Sequence, residues 1–323
     1  MRRFIKGLFL FSLPFIGLIV WYTIVDPFMV VRNYKDYFPD VSRQECSNDA
    51  FRGIKLMNLY KDSLHYNSFI VGSSRSDFYY IEKWKEFLDS SAVCFHFNQS
   101  GDNLFGMFQR VEYLYNHFEH IDNLLLIMDH ELLAGTTPNK GPLFINPYQV
   151  TPSLDYFSFH WCFFRTFYST KFQIDYWNKE LKQKDYYYSP SSNELHKFRA
   201  EGEIMSNPEE YYRSLPEDYS LYKRDTVQRT GAQVIQKKQK DLLEGIHRLI
   251  SDGGTDCKVI ISPLYDQLKL NPIDSLYLSE LFSEKCYFDF SGINGFTQDT
   301  LNYYENSHYR PSLSNRLLEI VYH

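Results

Sequence analysis

Between Lys6 and Asp26 the chain carries no charge for 19 residues (7–25, GLFLFSLPFIGLIVWYTIV), and this run limits the folding environment more than any other feature. At about 1.5 Å of rise per residue, a helix of that length crosses a hydrocarbon core of roughly 30 Å. A cleaved signal peptide has a shorter apolar region followed by small residues, whereas Trp21, Tyr22 and Thr23 occupy that place here. The run is therefore expected to remain as an anchor. Arg2 and Arg3 precede it and Asp26 follows it, so the positive-inside bias leaves the amino end in the cytoplasm. Everything after Asp26 is then periplasmic or extracellular, on a single-pass protein of the cell membrane. Trp21 and Tyr22 fall at the outer interface, and Pro14 kinks the helix without preventing a span.

Three regions follow: an anchor (1–26), a juxtamembrane linker with a helix (27–66) and an exported domain (67–323). With 44% hydrophobic and 23% charged residues, the 323-residue chain is neither disordered nor a polytopic membrane protein. Its 34 basic residues are outnumbered by 40 acidic ones and form no cluster that would neutralise a phosphate backbone, which argues against nucleic acid as a partner. The five cysteines are scattered and contain no CxxC pair, so no zinc site or other metal centre is expected.

After a helix over 49–62, short apolar runs alternate with helical spacing. The expected strands are 67–71, 92–97, 123–128, 258–262 and 287–290, and the expected helices are 77–88, 103–117, 226–251 and 311–322. Gly253 and Gly254 read as the C-cap of the third helix. From 131 to about 225 the alternation fails, apart from a helix near 171–182. Some 95 residues are too many for an ordinary loop, so this stretch reads as a large insertion over one end of the sheet. The fold class is α/β: a doubly wound, flavodoxin-like parallel sheet of five strands, order 2-1-3-4-5, helices on both faces, in three layers. Ligands in such folds bind beyond the carboxyl ends of the strands. Ser74, Gly101, Asp129 and the loop after Phe290 lie at those ends.

Ser74 follows the first strand on a Gly72-containing turn that opens a helix, which suits a nucleophile with a backbone N–H facing a developing oxyanion. A serine needs a general base oriented by a third group. His308 supplies the base, and Glu305, three residues earlier, can hold its Nδ1. Arg75 and Arg310 flank these motifs as candidate contacts for an anionic or polyhydroxylated substrate. Asp129 and His130 are further candidates at the third strand's end.

As an ordered set, Gly72-Ser73-Ser74-Arg75, Asn98-Gln99-Ser100-Gly101 and Glu305 to His308 resemble the SGNH (GDSL-like) hydrolase superfamily. More narrowly, they are similar to its membrane-anchored, exported members associated with polysaccharide O-acetylation or teichoic acid D-alanylation. The resemblance covers roughly 66–130 and 255–320. It implies that Ser74 is the nucleophile, that the N–H groups of Ser74 and Gly101 form the oxyanion hole, and that His308 is the base. Ser73 stands where the family has Asp in its first block, and Glu305 stands for the family's Asp, one methylene longer. The third block, Gly-x-Asn-Asp in the family, is Met128-Asp129-His130-Glu131 here and lacks the donating asparagine. Asn103, His130 or a residue of the insertion would have to substitute, or turnover is slow.

The implied activity is that of an exported serine esterase or O-acyltransferase moving an acyl group, acetyl first of all, to or from a cell-surface polysaccharide. It needs no cofactor. As a transferase it needs a polytopic membrane partner that supplies the acyl group. The competing expectation is a catalytically inactive SGNH-fold protein that binds or assembles a cell-envelope glycan system. Finally, Cys257 and Cys286 each precede one of two adjacent strands, so a disulfide between them is expected, with Cys94 buried and reduced.

Overall fold

Runs such as NLLLIM and DCKVII have apolar side chains on both faces of a strand, and only a sheet covered on both sides satisfies them. In the computed structural model, which describes residues 1–34, 37, 47–179, 187–215 and 224–323, they form the centre of a five-stranded parallel sheet. Its strands are β1 (Ser68–Gly72), β2 (Cys94–His96), β3 (Asn123–Met128), β4 (Asp256–Ile261) and β5 (Tyr287–Asp289). The order is 2-1-3-4-5, with Phe69 level with Leu124 and Phe95, and Val259 level with Tyr287.

The principal helices are α1 (Arg2–Val25), α2 (Asp49–Leu64), α3 (Leu104–His117), α4 (Tyr156–Phe167), α5 (Thr170–Lys179), α6 (Lys237–Gly253), α7 (Pro272–Phe282) and α8 (Pro311–Tyr322). Phe69, Val71, Leu124, Leu126, Val259 and Ile261 face a core built with α2, α3, α6 and α7. Their alternates Ile70, Leu125, Ile127 and Ile260 face a second core with Trp84 and α8. That alternation produces the three layers. α1 has a mean hydropathy of 2.2 over its best window, and it is long and apolar enough to cross a membrane. Its carboxyl end packs into a third cluster, where Tyr22 and Phe28 meet Phe159, Phe163 and Phe167 of α4.

Several expectations change. In place of a helix over 77–88 there is a 3₁₀ turn, Ser74–Phe78, and a five-residue helix, Ile81–Lys85. A single 3₁₀ turn has too few aligned peptides to set up a helix macrodipole at Ser74. The helix expected from 226 begins at Lys237: Arg229–Thr230 instead pairs with Leu268–Lys269, and Gln236 with Gln239 forms the capping box. Gly254 does cap it, in the left-handed region at φ 64°. Inside the insertion α4 was not expected. Of the helix expected at 171–182, the part to Lys179 is helical and the rest lies outside the described residues.

The disulfide is not formed, since Cys257 and Cys286 are both free thiols. The β4–β5 register puts Tyr287 level with Val259, so Cys286 stands one residue out of step with Cys257, and its carbonyl accepts from Val259 N–H at 2.7 Å. Cys94 is buried and free, and burial pushes its thiol up to about 12. Cys46 lies outside the described residues.

One buried charge ties the carboxyl end of the sheet together. Arg110 on α3 has no solvent exposure, and its guanidinium donates to the carbonyls of Phe97 and Gly72 and to the Asp102 carboxylate. Removing one partner of such a pair strands the other charge. Arg110→Met is expected to lower stability by about 3–5 kcal/mol, and Arg110→Met with Asp102→Asn by distinctly less. Urea unfolding of the full chain in detergent checks both, and a loss below about 1 kcal/mol for the single variant would show that the pair is not structural.

Candidate active site

The turn after β1 is closed by Gly72, where a Cβ would lie 2.7 Å from Ser76 Cβ and 3.0 Å from the Ile127 carbonyl. Ser73 begins the 3₁₀ turn, and Ser76 Oγ donates to the Ser73 carbonyl at 2.7 Å. Ser74, half-buried, is thereby held at the carboxyl edge of the sheet.

His308 arrives from 234 residues away, and its Nε2 lies 2.9 Å from Ser74 Oγ. The reason lies in the local fold. Tyr303–Glu305 and His308–Tyr309 form a small antiparallel hairpin in which Glu305 and His308 are cross-strand partners around Asn306 and Ser307. Residues paired across strands have side chains within reach of each other, so a spacing of three brings the carboxylate to the ring. Glu305 Oε1 accepts from His308 Nδ1, while Oε2 accepts from the N–H of His308 at 3.0 Å and of Ser307 at 3.3 Å. Burial pushes the Glu305 carboxyl up, but the hydrogen bond and charge of His308, with the charge of Lys197, hold it below its ordinary value. The hairpin's feet are fixed: Tyr303 Oη donates to the Pro263 carbonyl at 2.9 Å, and Tyr309 Oη lies 3.2 Å from Ser262 Oγ, just beyond β4.

Gly101 follows β2 with φ 57°, and a Cβ there would lie 2.8 Å from the Phe144 ring, so both backbone and space demand glycine. Neither its N–H nor that of Ser74 has a partner among the described residues. Both residues line one cleft with His308, Asn103, Glu131 and Asn139.

The remaining candidates have other attachments. Arg75 lines the cleft, but its guanidinium pairs with Asp129 and Glu131, each at 2.7 Å, and donates to the Ser307 carbonyl at 3.2 Å. Its charge thus links the Ser74 turn, the end of β3 and the His308 hairpin. Asp129 also accepts from Leu132 N–H at 3.0 Å. At the third-block position the chain therefore presents an acceptor where a donating amide was sought. Asn103 caps α3, accepting from Gly106 N–H at 3.0 Å, and its Nδ2 is engaged by the Thr137 carbonyl and Asn139 Oδ1 at 2.9 and 3.0 Å. His130 packs against Gly231 and is not among the cleft-lining residues. Arg310 is also away from the cleft, bound to both oxygens of Glu201 at 3.0 and 2.6 Å.

Two residues of the insertion escaped the sequence reading. Asn139 Nδ2 donates to the Gly101 carbonyl at 2.9 Å, orienting that peptide. Lys197 Nζ lies 5.1 and 5.2 Å from the ring centres of Phe78 and Tyr304, with Glu305 and Asp77 as its acidic neighbours. No motif marks either position, because both reach the site through an irregular segment.

A hydroxyl bonded to an imidazole whose second nitrogen is held by an ionised carboxylate has the connectivity for proton transfer from the serine. Among the described residues no group of His, Cys, Asp and Glu is arranged to hold a metal ion. No protein-family model, curated protein or solved structure matches the chain.

Proposed function

We propose that the chain is a membrane-anchored, exported serine esterase or O-acyltransferase of the SGNH type, acting on acyl groups, acetyl first, of a cell-surface polysaccharide. One observation carries the reading: the continuous relay from Ser74 Oγ through His308 to Glu305 at the carboxyl edge of a parallel sheet. Ser74 Oγ attacks the ester carbonyl while His308 Nε2 takes its proton. The N–H groups of Ser74 and Gly101 receive the oxyanion, and His308 returns the proton to the departing alkoxide, leaving an acyl-serine. Water or a sugar hydroxyl then resolves it by the same steps in reverse. A single spanning helix cannot carry an activated acyl group across a bilayer, so the transferase form requires a polytopic membrane partner as donor. With the amino end cytoplasmic, the domain works outside the membrane.

The acceptor chemistry of Asp129 favours a second reading, a non-catalytic glycan-binding or assembly protein, because one missing oxyanion donor can cost about 10²–10³ in rate. Fluorophosphonate labelling separates the two. The folded wild type is expected to be labelled and Ser74→Ala not; an unlabelled wild type would leave the binding reading.

Lys197 gives a pH test. Its positive charge helps to keep Glu305 below its ordinary value, so Lys197→Met should raise the proton affinity of the Glu305–His308 pair. The acid limb of kcat/KM against pH should then move to higher pH, with Lys197→Arg restoring it. An unmoved limb would mean that Lys197 acts only through packing. Topology is checked in spheroplasts: residues beyond 26 should be cut by external protease, and the chain should stay in the membrane pellet after alkaline extraction.

A further inference from the structure

The outer end of α1 does not project freely from the domain. Tyr22 is buried, with Phe164 and Phe167 of α4 each at a ring-centre distance of 5.4 Å. Tyr168, the residue after α4, donates from Oη to the carbonyl of Leu18. Leu18 lies seven residues before Val25, which at about 1.5 Å of rise each is about 10 Å below the helix end. A 19-residue apolar run, about 28 Å long, has no length to spare for a core of roughly 30 Å, so a spanning α1 puts Leu18 inside the outer leaflet. Whatever touches Leu18 and Tyr22 is at that depth too.

The chemistry of the surface agrees with the depth. On the side of α4 away from the domain, Phe157 is 81% exposed and Trp161 60%, one helical turn apart. Ile174 of α5 is 57% exposed. These residues continue the exposed apolar surface of α1, where Ile19, Trp21 and Ile24 are each about half exposed or more. An apolar face this size is costly in water and favourable in lipid. Arg165 and Lys171 are exposed beside it, on stems long enough to bring their charge to headgroup level.

We propose that α4 and the start of α5 are seated in the outer leaflet beside α1, so that the protein meets the bilayer through a spanning helix and an in-plane aromatic helix packed on it. The occupant of the Phe157–Trp161 face is lipid. This arrangement fixes the orientation of the domain, because the same cluster holds Ile145 and Tyr148, just after Phe144 on Gly101. It depends on α1 spanning the bilayer and not on the chemistry of Ser74.

The test uses the full chain in phosphatidylcholine vesicles doped with lipid brominated near the top of the acyl chains. In a Trp21→Phe background, bromolipid is expected to quench the fluorescence, and adding Trp161→Phe should roughly halve that quenching, as for an interfacial tryptophan. Equal quenching with and without Trp161 would overturn the proposal. So would release of the chain by alkaline extraction, which would show that α1 does not span. Fluorophosphonate labelling of the same vesicles reports on Ser74 separately, so failure of the lipid contact and failure of the esterase reading are told apart.

Discussion

A guanidinium with no access to water is tolerated only where acceptors converge on it, since burying an unpaired charge costs several kcal/mol. Arg110 meets this condition at the junction of three segments: Gly72 at the end of β1, Phe97 after β2, and Asp102 beside Gly101. Ser74 lies two residues beyond the first of these and Gly101 next to the last. The spacing between the Ser74 turn and the Gly101 loop is thus set by one side chain on α3. Relaxing it would open the cleft from beneath.

The second half of the site is set independently. The Glu305–His308 hairpin has no ladder bond to the main sheet and is fixed by its two buried tyrosines at the end of β4 and by Arg75 at its tip. Arg75 answers the question raised by the missing asparagine. Its partners Asp129 and Glu131 occupy the end of β3, and both hydrogen-bonding capacity and charge there go into holding the hairpin over Ser74. The end of β3 thus carries an ion pair that positions the hairpin, and the N–H groups of Ser74 and Gly101 are left without a partner among the described residues.

The sheet was legible because strands buried on both faces leave continuous apolar runs whose order follows from chain connectivity, and all five were located within about two residues. That Ser74 and His308 meet was legible because both were placed at the same end of one parallel sheet, and that Glu305 meets His308 because a short hairpin turns a spacing of three into proximity. The ion pairs of Arg75 and Arg310 were not legible for a general reason: sequence shows that a cation is near a motif but not whether a carboxylate such as Asp129 or Glu201 already faces it. The stretch from 226 to 236 was read as helix because apolar spacing alone ignores a competing pair with Leu268–Lys269. The Cys257–Cys286 bond failed on register, which strand order does not determine.

What periodicity could not reach is the insertion, and the physical reason is the surface it covers. Much of its described length is irregular, and where it is helical the period serves α1 and not the sheet: Phe159, Phe163 and Phe167 of α4, four residues apart, pack with Tyr22 and Phe28. Yet its described residues include Asn139 on the Gly101 carbonyl, Lys197 behind Glu305, Glu201 holding Arg310, and the aromatic cluster that receives Tyr22. The sheet supplies a carboxyl edge of a kind that many α/β chains possess. The insertion adds to it the charge of Lys197 beside Glu305 and, through Phe144, Ile145 and α4, a packed connection from the cleft wall to α1, so the setting of the cleft depends on the segment with the least regular sequence.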